Sequence, residues 1–137
     1  MSWDEEIGEM RDREHLAAKM GGPEKVARQH EFNKLTIRER IQSISDEDSF
    51  HEIGKLAGVG NYDEQGNLSE FTPSNFLCGT AEIDGRPVVL SGDDFTVRGG
   101  SADASIPGKR SRAEGLAVEL RLPHVRLVDG MGGGGSV

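Results

Sequence analysis

The stretch Asn75-Phe76-Leu77-Cys78-Gly79-Thr80-Ala81-Glu82-Ile83-Asp84-Gly85-Arg86-Pro87-Val88-Val89-Leu90-Ser91 decides the fold. Two runs of strand-forming residues flank Asp84-Gly85, a dipeptide suited to the type I′ turn, whose two central residues both need positive φ. An antiparallel hairpin is therefore expected over residues 75–83 and 86–91. Val88-Val89-Leu90 is continuously apolar instead of alternating, which marks a strand covered on both faces. Such a strand needs a layer on each side.

Downstream, residues 94–98 read as a further strand leading into Gly99-Gly100. Residues 111–122 form the clearest helical pattern, with Ala113, Leu116, Ala117 and Leu120 at helical spacing and Pro123 as the stop. Residues 125–128 read as a buried strand. Upstream, residues 50–53 suggest a short strand, and Gly58, Gly60 and Gly66 punctuate a loop that lasts until about Phe71. Thr36 and Glu39 have capping-box spacing and open a helix through Ile37, Ile41 and Ile44. Ser2 and Glu5 repeat that spacing ahead of a first helix, whose apolar residues Trp3, Ile7, Met10, Ala17 and Met20 make a narrow stripe. Gly21-Gly22-Pro23 ends it. A short second helix then runs from Pro23 to about Asn33, with Val26, Ala27 and His30 on one side. Residues 1–45 thus read as a helical arm that must pack on something else, and residues 46–137 as an α/β unit.

Composition narrows the function classes. Apolar residues make up 34% of the 137 and aromatic residues 5%, below the roughly 45–50% apolar share of ordinary domains. The core is thin for a free-standing enzyme. No apolar run approaches the roughly 18 residues that span a bilayer, and the acidic start has neither the apolar core of a secretory signal nor the basic bias of a transit peptide. A soluble protein of a reducing compartment is expected, with no membrane partner. The net charge is −8, and residues 1–70, with 9 basic and 16 acidic side chains, hold most of the excess. An acidic front half argues against a nucleic-acid partner, which calls for a basic face. Cys78 stands alone, so neither an internal disulfide nor a cysteine-built zinc site is available.

Three features could carry chemistry. The run Gly130-Met131-Gly132-Gly133-Gly134-Gly135 follows a strand. Backbone without Cβ atoms can bring several N–H groups onto a ligand oxygen, a phosphate or a developing oxyanion; the bland alternative is a flexible tail. Gly130, Gly132 and Gly135 also satisfy G-x-G-x-x-G, but no helix and no acidic residue about 20 positions on follow, so a dinucleotide site lacks its context. Asp93-Asp94 could serve as acid, base or metal ligands, though a hydrogen-bonded turn explains the pair better and no histidine lies near; no metal is expected. Lys109-Arg110-Ser111-Arg112 opens a helix, where cations oppose the dipole unless an anionic ligand such as a nucleotide phosphate offsets them; a solvated surface turn is the alternative. The histidines His15, His30, His51 and His124 are scattered and suit packing or surface roles, and Cys78 reads as a buried thiol.

Taken as a string, residues 35–137 resemble the N-terminal part of the carboxyltransferase β subunit of biotin-dependent acyl-CoA carboxylases. The propionyl-CoA and methylcrotonyl-CoA carboxylases are members of that family. The matching segments are residues 35–41, the Asp-x-x-Ser-Phe-x-Glu pattern of residues 46–52, Gly85-Arg86-Pro87-Val88-Val89, Asp94-Phe95-Thr96-Val97-Arg98-Gly99-Gly100-Ser101, and residues 121–129. The resemblance implies a partial crotonase-like β-β-α fold preceded by the helical arm, cut short inside the first of two such domains. It implies an acyl-CoA substrate, propionyl-CoA-like by preference, whose α-carbon loses a proton and takes CO2 released from carboxybiotin. Backbone amides of Gly132, Gly133, Gly134 and Gly135 would stabilise the thioester oxyanion. Gly99, Gly100 and Ser101 would lie by the acyl-CoA, and Lys109 and Arg110 by CoA phosphate. The implied partners are the missing carboxyltransferase half, like subunits and a biotin carboxylase/biotin carrier α subunit. The implied location is the cytoplasm, or the mitochondrial matrix in a eukaryote. The family's commoner Ser-Gly-Gly-Ala-Arg-like run is replaced here by the longer glycine run, which leaves open which two amides donate. The alternative is a non-enzymatic truncated paralogue that binds a full-length subunit.

A single β-β-α turn buries little apolar surface against the entropy of ordering the chain. The isolated 137-residue chain is therefore expected to be inactive and to melt below about 55 °C, the middle of the mesophile range, as followed by circular dichroism.

Overall fold

The computed structural model describes residues 2–101 and 106–130. Its centre is the expected hairpin: β4 (Phe76–Ile83) and β5 (Arg86–Asp93) pair antiparallel with Gly79 opposite Leu90. Asp84 and Gly85 have φ of 51° and 71°, the left-handed pair that a type I′ turn demands. Asp46 holds this turn from outside, its carboxylate accepting from the N–H groups of Asp84 (3.0 Å) and Gly85 (2.7 Å). The short strand β1 (His51–Glu52) pairs antiparallel with β4, and β6 (His124–Leu127) lies parallel to β5, giving a four-stranded sheet of order β1-β4-β5-β6.

Each face of this sheet has its own layer, as the apolar run of β5 requires. Alternation sends Leu77, Ala81, Val88 and Leu90 to one face, where they meet Ile37 and Ile41 of α3 (Ile37–Ile44). Phe76, Cys78 and Val89 go to the other face, against Ala113, Leu116 and Ala117 of α4 (Lys109–Leu120). Val89 and Leu90 are both fully buried. The third helix is thus a layer of the sheet. α4 starts two residues earlier than its apolar pattern suggests, and Leu120 lies on its solvent side.

The remaining helices are α1 (Asp4–Ala18) and α2 (Pro23–Glu31). α1 begins after Trp3 without a side-chain cap, so the Ser2–Glu5 box does not form: Ser2 turns to Asp4 instead. Of its expected apolar stripe only Ala17 is buried; Trp3, Ile7 and Met10 are exposed. It packs on a second sheet, formed by β2 (Gly58–Tyr62) and β3 (Leu68–Pro73), with Arg13 donating to the Tyr62 hydroxyl at 2.9 Å. That hairpin replaces the glycine-punctuated loop expected there. Its ends pair through the backbone, and Asp63 organises the turn by accepting from the N–H groups of Gln65 and Asn67. Glycines inside a strand had masked its β character. The expected strand at residues 94–98 is absent, and β6 is only half-buried along its length.

The capping box of α3 is complete: Thr36 Oγ1 accepts from Glu39 N–H (3.3 Å), and Glu39 accepts from Thr36 N–H (2.7 Å). His30, beside the Glu39 carboxylate at 3.0 Å, together with the Thr36 donors, lowers the Glu39 pKa to about 2 from the usual 4.5. The unfolded chain therefore binds more protons between those values, so the cap's contribution is full above about pH 4.5 and is lost as the pH falls toward 2. Thr36→Ala should cost about 1 kcal/mol near neutral pH, and Glu39→Gln should flatten the acid limb of stability; urea titrations at several pH values measure both.

Candidate functional site

β5 ends at Asp93 and the chain bends at once. Asp94 Oδ1 accepts from Thr96 N–H (2.9 Å) and Thr96 Oγ1 (2.6 Å), and this local pairing competes with strand extension. The turn reading of the acidic pair holds for Asp94. Burial raises the Asp94 pKa, and the Thr96 donors oppose that shift. A single 3-10 turn follows, Arg98–Gly100, in which Arg98, Gly99 and Gly100 have φ of 49°, 63° and 66°. Three consecutive left-handed residues are costly for any side chain but glycine, so neighbours must hold Arg98 in place.

Those neighbours include the end of β6. A Cβ at Gly100 would stand 2.9 Å from Asp129 O and 3.2 Å from Gly130 Cα, closer than side chains pack. The Gly99-Gly100 turn and the first glycine of the C-terminal run therefore lie against each other, with Ser101 buried beside them. Gly132, Gly133, Gly134 and Gly135, the expected oxyanion donors, lie outside the described residues. Asp129 is held from the other side by Lys34 (3.9 Å) and Arg40 (3.7 Å), and Lys34 also sits 5.3 Å over the Phe95 ring. The corner between α1 and α2 closes on the same loop. Gly21 N–H donates to Thr96 Oγ1 at 2.9 Å, in a place where a Cβ would fall 1.9 Å from Thr96 O.

The cations at the start of α4 face inward. Lys109 is only 9% exposed, with its Cε toward Gly54, and burial pushes its pKa down while Cys78 and Glu52 pull it back up. Lys109 thus does not stand on an open surface as a phosphate ligand would. Arg110 places its guanidinium 2.8 Å from Asp93 Oδ1, a charge contact whose N–H does not point along a hydrogen bond, and 5.2 Å over the Phe76 ring. Arg126 of β6 approaches the same oxygen to 3.8 Å and the same ring to 5.8 Å. Asp93 is 3% exposed. The anion that offsets the unfavourable placement of Arg110 at a helix N-terminus is therefore this buried carboxylate, in the chain itself. Sequence reading missed Arg126, although the alternation Val125-Arg126-Leu127 would place it on the opposite face of its strand from the two apolar residues.

Other reactive groups are occupied by packing. Cys78 is buried, and burial raises its thiol pKa, the opposite of what a nucleophile needs. Ser91 Oγ lies 2.8 Å from His124 Nε2, a pairing the sequence did not suggest; Ser91 has no exposed surface, so no substrate reaches it here. The Asp46–Glu52 pattern is structural: Asp46 caps the hairpin turn, Ser49 Oγ accepts from Glu82 N–H (3.1 Å), and Glu52 takes the Arg38 guanidinium at 2.9 Å.

Residues 28–136 match the family described as Carboxyl transferase domain. The chain is 31% identical over 132 residues to the propionyl-CoA carboxylase carboxyltransferase subunit of Haloferax mediterranei, covering 96% of this chain and 26% of that protein. It is 34% identical over 128 residues to the biotin-dependent acetyl-/propionyl-coenzyme A carboxylase beta5 subunit of Mycobacterium tuberculosis, covering 92% and 23%. Among solved structures, a transcarboxylase 12S hexamer with methylmalonyl-coenzyme A and methylmalonic acid bound superposes with a TM-score of 0.80 at 25% identity, over 98% of this chain and 26% of that one. A single-chain, multi-domain long-chain acyl-CoA carboxylase gives 0.73 at 26% identity, over 94% and 14%. The chain spans about a quarter of the length of the curated relatives it matches. An α/β unit with the carboxyltransferase variant of the crotonase fold, matched over most of its length, the chain belongs to the carboxyl transferase domain family.

Proposed function

We propose that this chain is the opening part of an acyl-CoA carboxyltransferase, moving a carboxyl group from carboxybiotin to the α-carbon of an acyl-CoA, with a propionyl-CoA-like substrate favoured. The observation that carries the reading is the contact between the Gly99-Gly100 turn and Asp129-Gly130. It sets bare backbone beside the start of the glycine run, where amide donors could meet a thioester oxygen. Support for the substrate class comes from the propionyl-CoA and methylcrotonoyl-CoA carboxylases among the relatives. Carboxybiotin, carried on a partner's carrier domain, supplies the carboxyl group. This chain's own part is to bind the acyl-CoA through Gly99, Gly100 and Ser101 and to orient the thioester toward the amides of residues 132–135. Arg110, with about a third of its side chain exposed, would contact CoA phosphate, and Arg126, exposed to a similar extent beside the same carboxylate, would join it. Lys109 would need to leave its buried position to join them.

The remaining carboxyltransferase half, like subunits and a biotin carboxylase/biotin carrier α subunit complete the catalytic assembly. The arm of residues 1–45 and the unit of residues 46–137 act within it, in the cytoplasm or, in a eukaryote, in the mitochondrial matrix. Among the described residues no helix is long and apolar enough to cross a membrane.

The test restores the missing half. With acyl-CoA and a carboxybiotin donor, the full-length subunit in its assembly should carboxylate, and Gly100→Ala should lower kcat by about 10- to 100-fold by displacing the turn from Asp129. No carboxylation, combined with tight binding of this chain to an intact subunit, would instead support the non-enzymatic paralogue. Equal affinity for NAD, ATP and CoA by calorimetry would support a general nucleotide module.

A further inference from the structure

Asn75 occupies the two-residue link between β3 and β4 and has no exposed surface. Its backbone carbonyl accepts from Asp94 N–H at 2.8 Å, and its side-chain Nδ2 donates to Ser101 O at 2.6 Å. One buried residue therefore grips both ends of the loop of residues 94–101. Between those ends lie the Asp94–Thr96 pairing, the contact to Gly21 and the three left-handed residues Arg98, Gly99 and Gly100. A backbone held in that region needs its surroundings to define it fully.

A second observation concerns the other half of the amide. Among the described residues Asn75 Oδ1 accepts no hydrogen bond although it is buried. The Ser101 carbonyl requires a donor, which orients the amide and leaves its oxygen without one. The bond to the buried Ser101 carbonyl is thus made while the amide oxygen goes without a donor, so the side chain's one hydrogen bond here is the one at Ser101. What this side chain contributes is therefore the Nδ2 bond at Ser101.

We infer that Asn75 is a positioning residue: by donating to the Ser101 carbonyl it fixes the Gly99-Gly100 turn against Asp129-Gly130, and so sets where the acyl-CoA loop stands relative to the chain leaving β6. The catalytic part of this inference rests on the carboxyltransferase reading above; the clamp itself does not. Asn75→Ala keeps the backbone bond to Asp94 and removes the donor. Asn75→Ser keeps a shorter donor and guards against a variant that fails to fold.

The experiment uses the full-length subunit in its carboxylase assembly. Hydrogen exchange in peptides covering residues 94–101 should quicken about 10-fold in Asn75→Ala while peptides of β4 and β5 stay unchanged, and Asn75→Ser should recover part of the protection. The kcat for acyl-CoA carboxylation, per folded subunit, should fall about 10- to 100-fold with KM within about twofold of wild type, and the unchanged exchange of β4 and β5 distinguishes this from a general loss of folded protein. Unchanged exchange at residues 94–101, or equal quickening throughout the sheet, would overturn the clamp. Unchanged kcat alongside quickened exchange would overturn the catalytic part. If the wild-type assembly carboxylates no acyl-CoA, the functional reading falls, and the exchange comparison alone decides for or against the clamp.

Discussion

The structure depends on one constraint: β5 must be covered on both faces. Val88 and Leu90 look one way and Val89 the other, and all three are buried. Leaving either side open would expose apolar surface worth roughly 1.5–3 kcal/mol per side chain. α3 supplies Ile37 and Ile41 for one face, and α4 supplies Ala113, Leu116 and Ala117 for the other. The four-stranded sheet and its two layers follow from bringing those two helices to one strand, while β2, β3 and α1 pack as a separate unit beside it. The Asp46–Glu52 segment leads the chain from α3 across the hairpin turn, and the loop of residues 94–101 begins the passage from β5 to the opposite face.

That crossing is the least regular part of the sheet's surroundings. A chain leaving a buried strand must satisfy its backbone groups without a ladder partner. Asp94, Thr96 and Asn75 do so, and they shape a turn whose glycines press on the end of β6. The charges around it are arranged to compensate within the protein. Asp93 sits between Arg110 and Arg126, and Asp129 between Lys34 and Arg40. Asp93 and Asp129 both lie beside Gly100, where the 3-10 turn meets Gly130.

Much of this was legible in the residues. The hairpin, its turn type, the buried run, the α3 capping box and the helix over Ala113 and Leu116 all rest on short-range patterns, and each stands within a few residues of its expected place. The misses share a cause. Residues 94–98 have strand composition, but a side-chain hydrogen bond at Asp94 outcompetes extension. Residues 58–73 contain strand-weakening glycines, yet pairing between β2 and β3 makes them a sheet, because partners and not propensity decide strands. The α1 stripe looked like a buried face and is mostly exposed, since a narrow stripe does not say what will cover it.

The candidate site shows the same division. Local sequence by itself determined the turn-forming and apolar-patterned parts: the Asp84-Gly85 turn, which strand is buried twice, and the capped start of α3. Those depend on steric and hydrogen-bonding preferences of residues a few positions apart. Only the tertiary structure decided that Lys109 turns inward, that Asp93 is the counter-charge for Arg110, and that Asn75 reaches Ser101 across 26 positions. Such pairings are set by which elements the shared core brings together, and no spacing along the chain encodes the direction in which a buried charge must find its partner.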